Sequence, residues 1–349
     1  MRRTLLMFLL SALLMTSCDN NELPKNAKSM EEVKNIGVPV IAIHGGAGNL
    51  KKLNLTPEQE AEYTQVMTTA LETGYSLLKQ GKTSTEAVVA VITILEDCPL
   101  FNAGKGAVFN HDGVNELDAA IMDGKTLDCG AIAGVRRIKN PIQLAKMVLD
   151  SSKYVLLAGE GAEKFAQDNG VGFVDPTYFY TELRWNQLQE ALEEKDMKLD
   201  HSGLREEDPD AEKKFGTVGC VALDVYGNIA AGTSTGGLTN KQYGRIGDSP
   251  LIGAGTYANN ETCAVSCTGK GEDFIRLSVA RDLSSMIEYQ GLSLDSAANS
   301  AIRKVKEIGG RGGCIALNTK GEVAFAFSTT GMFRGLIDVH GNLKTEIYK

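Results

Sequence analysis

Histidine is scarce in this chain. There are four in 349 residues, His44, His111, His201 and His340, and no two stand at a spacing that metal ligation uses. That shortage argues against a histidine-built metal centre. It also argues against a serine-type triad, since Gly-x-Ser-x-Gly does not occur and no histidine lies near a plausible nucleophile. A nucleotide loop is missing as well. Gly-Lys-Thr occurs at Gly81 and Gly124, but Ser76 and Ala119 stand where the first glycine of a phosphate loop belongs. His44-Gly45-Gly46-Ala47-Gly48 follows an apolar run as such a loop would, yet lacks the Lys-Ser/Thr ending. Basic residues are outnumbered, 36 Lys+Arg against 44 Asp+Glu, for a net charge of −8, which disfavours a nucleic-acid partner.

The first 18 residues read as export machinery. Arg2-Arg3 precede a mostly apolar stretch over 5–15, too short to span a bilayer as a helix, and Met15-Thr16-Ser17-Cys18 resembles the lipobox of bacterial lipoproteins. This predicts an exported lipoprotein anchored to a membrane through Cys18, on the periplasmic or cell-surface side. The alternative is an ordinary secretory signal with an incidental cysteine. Loss of Arg2 and Arg3 with that leader takes the net charge to about −10. Residues 19–37 are polar and aperiodic and read as a tether. The six remaining cysteines sit mostly in apolar runs and are expected as small buried thiols, since a domain this large needs no disulfide staples.

The remaining ~310 residues suit one large α/β domain or two small ones. A buried strand over 38–43 leads into the glycine loop at His44. Helices are expected over 56–79, with Thr56, Pro57 and Gln59 forming a capping signature, and over 84–95, 141–149, 160–167 and 178–192. Strands are expected over 118–122 and 129–135. Residues 193–216 are charged, with Glu206-Glu207-Asp208-Pro209-Asp210 at the centre, and read as a mobile linker. Beyond it the pattern turns to hairpins: 218–224 with 229–233, a strand at 263–267, and 314–317 with 323–327. Helices are expected at 273–289 and 294–306. Elements of both kinds flank the linker, so the two halves should share one core.

At the linker's end stands Gly216-Thr217-Val218-Gly219, a threonine opening a strand. Were the Gly216–Thr217 bond cut, Thr217 would carry both a hydroxyl nucleophile and an α-amine to serve as its base. An α-amine titrates near ~8, so at neutral pH a useful fraction can accept a proton. Gly216, without a Cβ, tolerates the strained backbone such a cut requires. The hairpin brings Thr235, in Gly232-Thr233-Ser234-Thr235-Gly236-Gly237, beside Thr217. Cys267-Thr268-Gly269-Lys270-Gly271 ends a strand and opens a helix, a terminus suited to a developing oxyanion. In Gly244-Arg245-Ile246-Gly247-Asp248-Ser249-Pro250, Arg245 suits a carboxylate and Asp248 an ammonium, together an α-amino acid; the plainer reading is a surface salt bridge.

These segments, with Phe101-Asn102-Ala103-Gly104 and Glu116-Leu117-Asp118-Ala119, resemble the plant-type L-asparaginases, also called isoaspartyl peptidases, which are N-terminal-nucleophile hydrolases. The resemblance runs from about residue 38 to 334. It implies an αββα four-layer sandwich cut before Thr217 into chains 38–216 and 217–349 that stay together as an α/β heterodimer, paired again into a dimer. It implies hydrolysis of L-asparagine and β-aspartyl dipeptides through a β-aspartyl-enzyme. Thr217 would be the nucleophile and Thr235 its hydrogen-bond partner, with Thr268 and Gly269 the oxyanion donors. Arg245, Asp248 and Gly271 would hold the aspartyl unit, and Asn102 would order the site. No catalytic cofactor is implied. The backbone carbonyls of Leu95, Glu96, Cys98, Phe101, Ala103 and Lys105 match a structural sodium loop, whose plainer reading is a helix C-terminus. Two alternatives are a glycosylasparaginase, which usually has aspartate where Gly216 stands, and a non-catalytic lipid-anchored amino-acid-binding protein. Residues 328–332 follow the family loosely and 341–349 match nothing in it.

Overall fold

The computed structural model describes residues 37–198 and 216–349; the leader with Cys18, nearly all of the tether and residues 199–215 of the linker lie outside them. The chain is mixed α+β. Helix α1 (Pro57–Lys79) starts as its sequence dictates. Thr56 Oγ1 accepts from Gln59 N at 3.3 Å and Gln59 Oε1 accepts from Thr56 N at 3.0 Å, closing the box ahead of Pro57. Met67, Ala70, Leu71, Gly74 and Leu78 recur at helical spacing and form its buried stripe. Helix α2 (Ser84–Asp97) carries a second box, between Thr83 and Glu86. Helices α3 (Pro141–Ser151) and α4 (Gly159–Asp168) follow close to expectation.

Among the described residues the strands form two sheets. One runs in the order β12-β11-β1-β5-β6-β2-β3-β4, with β1 Val40–Gly48, β2 Leu117–Asp123, β3 Cys129–Val135, β4 Leu156–Ala158, β5 Val218–Leu223, β6 Ile229–Thr235, β11 Gly331–Ile337 and β12 Leu343–Tyr348. The other runs β10-β9-β8-β7, with β7 Thr256–Ala258, β8 Ala264–Gly269, β9 Gly312–Leu317 and β10 Val323–Phe327. Three apolar clusters fill the body. Ile41, Leu71, Val91, Ile92 and Ile121 join α1 and α2 to the larger sheet. Val40, Ala42, Val221, Leu223, Ala264 and Ile315 lie between the sheets. Val265, Cys267, Leu283, Val305 and Cys314 join the smaller sheet to α7 (Val279–Gln290) and α8 (Leu294–Glu307). Strand parity assigns the faces. On β5, Val218, Cys220 and Ala222 face the helices, while Val221 and Leu223 face the second sheet. The six described cysteines are free thiols.

Three expectations need correction, and two strands are added to the sequence reading. The glycine run after Ile43 is not a loop: β1 continues through Gly48, with a bulge between His44 and Gly46. Residues 331–337 and 343–348 are strands that pair beside β1, covering an edge that would otherwise be exposed. The helix expected over 273–289 is two, α6 (Gly271–Leu277) and α7, separated by Ser278 at φ 48°. The break has a tertiary cause: Ala280 N and Arg281 N donate to Ala254 O and Gly253 O. Helix α5 (Glu182–Lys198) starts later than expected, after a 3₁₀ turn at Pro176–Phe179, and continues into the stretch read as linker, where Glu and Lys are good helix formers.

Candidate active site

Thr217 stands one residue before β5, half-buried, with its hydroxyl donating to Thr235 Oγ1 at 3.2 Å. Adjacent pairing of β5 with β6, Val218 opposite Ser234, sets this approach. Thr235 also accepts from Gly237 N at 3.0 Å, so it receives two protons and polarises the Thr217 hydroxyl. The turn that follows is pinned by Asn102, only 4 % exposed. Its Nδ2 donates to Gly237 O at 2.8 Å, its Oδ1 accepts from Val108 N at 3.0 Å, and its backbone carbonyl accepts from Gly236 N. Asn102 also packs on Gly216: a Cβ there, where φ is +154°, would fall 1.9 Å from Asn102 Cβ.

Gly216, Thr217, Asn102, Thr268 and Gly269 line one cavity of about 30 Å³, beside Arg184 and Gln187 of α5. That volume suits water, not an amino acid. Thr268, 2 % exposed at the end of β8, accepts from Ala47 N at 3.3 Å, which leaves its own proton available for the cavity. Gly269 follows it. Gly271 does not line this cavity. It begins α6, and a Cβ there would fall 2.7 Å from Arg245 Nη2, so its bareness makes room for the guanidinium.

Arg245 and Asp248 are close to Gly271 but do not pair with each other. Arg245 forks onto Glu272, Nε to Oε1 at 2.9 Å and Nη2 to Oε2 at 3.0 Å. Asp248 is buried, and its Oδ2 has no hydrogen-bond partner among the described residues. Burial pushes its carboxyl up to about 7, against the pull of Arg245. The surface salt bridge between them is therefore corrected: Glu272 is the partner, and Asp248 is a buried acceptor left open.

In the loop after α2, a Cβ added at Gly106 would meet the carbonyls of Phe101 and Pro99 at 2.1 and 2.5 Å, and one at Gly104 that of Glu96 at 2.4 Å, so both positions need glycine. Leu95 O accepts from Cys98 N, Phe101 O from Ala103 N and Ala103 O from Gly106 N, each keeping a second lone pair. Neutral carbonyl oxygens suit a hard cation over a soft one. Among the described residues no group of three or more His, Cys, Asp or Glu could hold a metal. The Glu96 side chain faces away from that role, accepting from Ser234 Oγ at 2.6 Å and Ile142 N at 3.0 Å, and burial pushes it up to about 8.

Sequence reasoning missed what holds Thr217 from behind. His44 Nδ1 lies 3.1 Å from Thr217 O, and His44 is fully buried, its imidazole pushed down to about 3 by that burial. The alternation Val40, Ala42, His44 along β1 carried the signal, because it puts His44 on the face between the sheets. Trp185, the chain's single tryptophan, packs edge-on against Phe109 at 5.3 Å between ring centroids.

Comparison with known proteins identifies the family. The family profile described as asparaginase matches residues 37–347. The isoaspartyl peptidase of Escherichia coli (strain K12) is 49% identical over 300 residues, covering 86% of this chain and 92% of that protein. A probable isoaspartyl peptidase/L-asparaginase 2 of Arabidopsis thaliana is 43% identical over 325 residues, 88% of this chain and 98% of its own length. The Bos taurus isoaspartyl peptidase/L-asparaginase is 41% identical over 295 residues, 84% of this chain and 91% of its own. A profile spanning the folded body and relatives this similar along nearly their whole length establish that the chain belongs to the asparaginase family.

Proposed function

We propose that the chain is a self-cleaving threonine hydrolase that releases aspartate from L-asparagine and from β-aspartyl dipeptides. The observation that carries this is the Thr217 hydroxyl, seated on Thr235 at the head of β5 in one cavity with Thr268, Gly269 and the Gly216 bond. Relatives bearing the isoaspartyl peptidase and L-asparaginase names support the substrate class. The Gly216–Thr217 amide is hydrolysed with Thr217 Oγ as nucleophile, leaving a carboxylate on Gly216 and a free amine on Thr217. Departure of Gly216, which lines the cavity, opens space beside Thr217 for the substrate. The amine takes the hydroxyl proton as Oγ attacks the side-chain carbonyl of the substrate. Thr268 Oγ and Gly269 N stabilise the oxyanion, and one such donor is worth roughly 3–4 kcal/mol. Ammonia or an amino acid leaves carrying the proton, and water then frees aspartate from the β-aspartyl ester.

Arg245 engages the substrate α-carboxylate and Asp248 its ammonium. A cation brought into the site holds the Asp248 carboxyl ionised, satisfying the open Oδ2. A sodium ion on the loop carbonyls of Leu95, Glu96, Cys98, Phe101, Ala103 and Lys105 would be structural, stiffening the turn that presents Asn102. In this reading the two sheets and their flanking helices form the αββα sandwich, residues 38–216 and 217–349 are its two chains, and two such units dimerise. Export through the Cys18 anchor is part of the same proposal and rests on the leader sequence alone.

A denaturing gel tests it. From 37.4 kDa over 349 residues, chain 217–349 runs at about 14 kDa, and Thr217→Ala stays intact and inactive. Normal turnover by Thr217→Ala, or a fully active unbroken chain, refutes the proposal. Assaying asparagine, β-Asp-Leu and N-acetylglucosaminyl-asparagine side by side separates it from glycosylasparaginase, which prefers the last.

A further inference from the structure

We propose that His44 is a positioning residue for this reaction, the last link of a one-way hydrogen-bond chain that runs between the two sheets and clamps the backbone of Thr217. The inference rests on the hydrolase reading above. The links are short and buried. Thr256 Oγ1 lies 2.6 Å from Thr233 Oγ1, Thr233 Oγ1 lies 2.7 Å from Ser266 Oγ, Ser266 Oγ lies 2.9 Å from His44 Nε2, and His44 Nδ1 lies 3.1 Å from Thr217 O. All four side chains are 0 % exposed.

The proton positions follow from elementary rules. A carbonyl oxygen only accepts, so Nδ1 carries the ring proton toward Thr217 O. Burial keeps the ring neutral, so Nε2 must accept, and Ser266 donates to it. With its own proton used, Ser266 accepts from Thr233, whose Oγ1 lies 2.6 Å from a Thr256 hydroxyl that also faces Ser249 O at 3.0 Å. From Thr233 onward every donor points the same way, toward Thr217. The ring is locked as the Nδ1–H tautomer.

The clamp acts where the sheet does not. Thr217 lies outside the paired register of β5, which begins at Val218 with β6 and at Gly219 with β1. Fixing its carbonyl sets the direction in which its amine and hydroxyl face the substrate. Gly219 supplies an independent sign that the space is reserved. A Cβ at Gly219 would fall 2.0 Å from Ser266 Oγ and 2.2 Å from His44 Nε2, inside the link itself. The glycine that follows Thr217-Val218 in the sequence is therefore the gap through which the chain passes.

Two amide substitutions test the clamp, because each mimics a different ring nitrogen. The Nδ2 of His44→Asn stands near the lost Nδ1 and can still donate to Thr217 O. The Nε2 of His44→Gln stands near the other nitrogen and cannot. With β-Asp-Leu as substrate, His44→Gln should lose about a hundredfold in kcat, the scale of a ~1 Å misplacement of a reacting group, with KM little changed because Arg245 and Asp248 are intact. His44→Asn should recover most of that loss. Equal kcat for the two variants, or a loss confined to KM, overturns the clamp. In case the variants fold poorly, the ¹⁵N spectrum of ¹⁵N-histidine-labelled unaltered protein reads the tautomer directly, with only four histidines to assign. A neutral Nδ1–H ring at pH 6–8 supports the chain, and an Nε2–H ring overturns it. If unaltered protein neither cleaves itself nor hydrolyses β-Asp-Leu, the hydrolase reading is what fails.

Discussion

Gly216→Ala is the sharpest probe of the proposed cut site. The added methyl would lie 1.9 Å from Asn102 Cβ and 2.9 Å from its Cγ and Nδ2. Asn102 cannot retreat cheaply, since its amide joins Gly237 O to Val108 N at 2.8 and 3.0 Å. The backbone at φ +154° is also one that L side chains resist. Overpacking and a disfavoured backbone each cost about 1–3 kcal/mol, together about 2–6. Under the proposed cleavage the cost falls on the uncut chain alone, because the cut frees residue 216. The clean measurement is urea unfolding in a Thr217→Ala background, where the bond stays closed. Adding Gly216→Ala there should remove about 2–6 kcal/mol. With Thr217 present, displacement of the 216 carbonyl should slow appearance of the 14 kDa fragment by about a hundredfold. A loss below about 1 kcal/mol together with normal cleavage would refute the idea that Asn102 and a bare Gly216 define the scissile geometry.

Arg245→Lys keeps the charge and loses the fork. KM for asparagine should rise roughly tenfold to hundredfold, the worth of one charge-assisted hydrogen bond, with a smaller change in kcat; an unchanged KM removes Arg245 from the substrate site. Glu96→Gln should flatten the pH dependence of stability. Folded Glu96 holds its proton up to about 8, while the unfolded chain releases it near the ordinary 4.5. The folded state thus binds the extra proton between those values, so stability falls as pH rises through that window and levels off above it. The slope for one group approaches about 1.4 kcal/mol per pH unit. Asp248, raised by burial to about 7, adds the same sign at lower pH. Urea titrations between pH 7 and 8 in the Thr217→Ala background should lose most of their slope on Glu96→Gln, and an unchanged slope contradicts the buried protonated carboxyl.

Much of this was legible from the chain alone because it depends on neighbours in sequence. The Thr56 capping box needs only residues 56–59, and it is present. The 218–224 and 229–233 hairpin follows from two apolar runs around Tyr226-Gly227-Asn228, and its pairing alone brings Thr235 beside Thr217. Ordered motifs around Thr217, Arg245 and Thr268 carried the resemblance to the family that whole-chain similarity establishes.

What the chain could not state by itself depends on partners far away in sequence. Arg245 meets Glu272, 27 residues on, instead of Asp248 three residues on, because Gly271 leaves space for a guanidinium. Helix α6 ends at Ser278 because carbonyls of Gly253 and Ala254 take the amides of the next helix. His44 reads as part of a glycine loop until β11 and β5 close around it, 173 residues from the threonine it holds. Local spacing determines caps, turns and strand faces, because those interactions close within a few residues. Which buried polar group meets which is decided only when two sheets pack, since each must find a partner there or lose its hydrogen bonds to water for nothing.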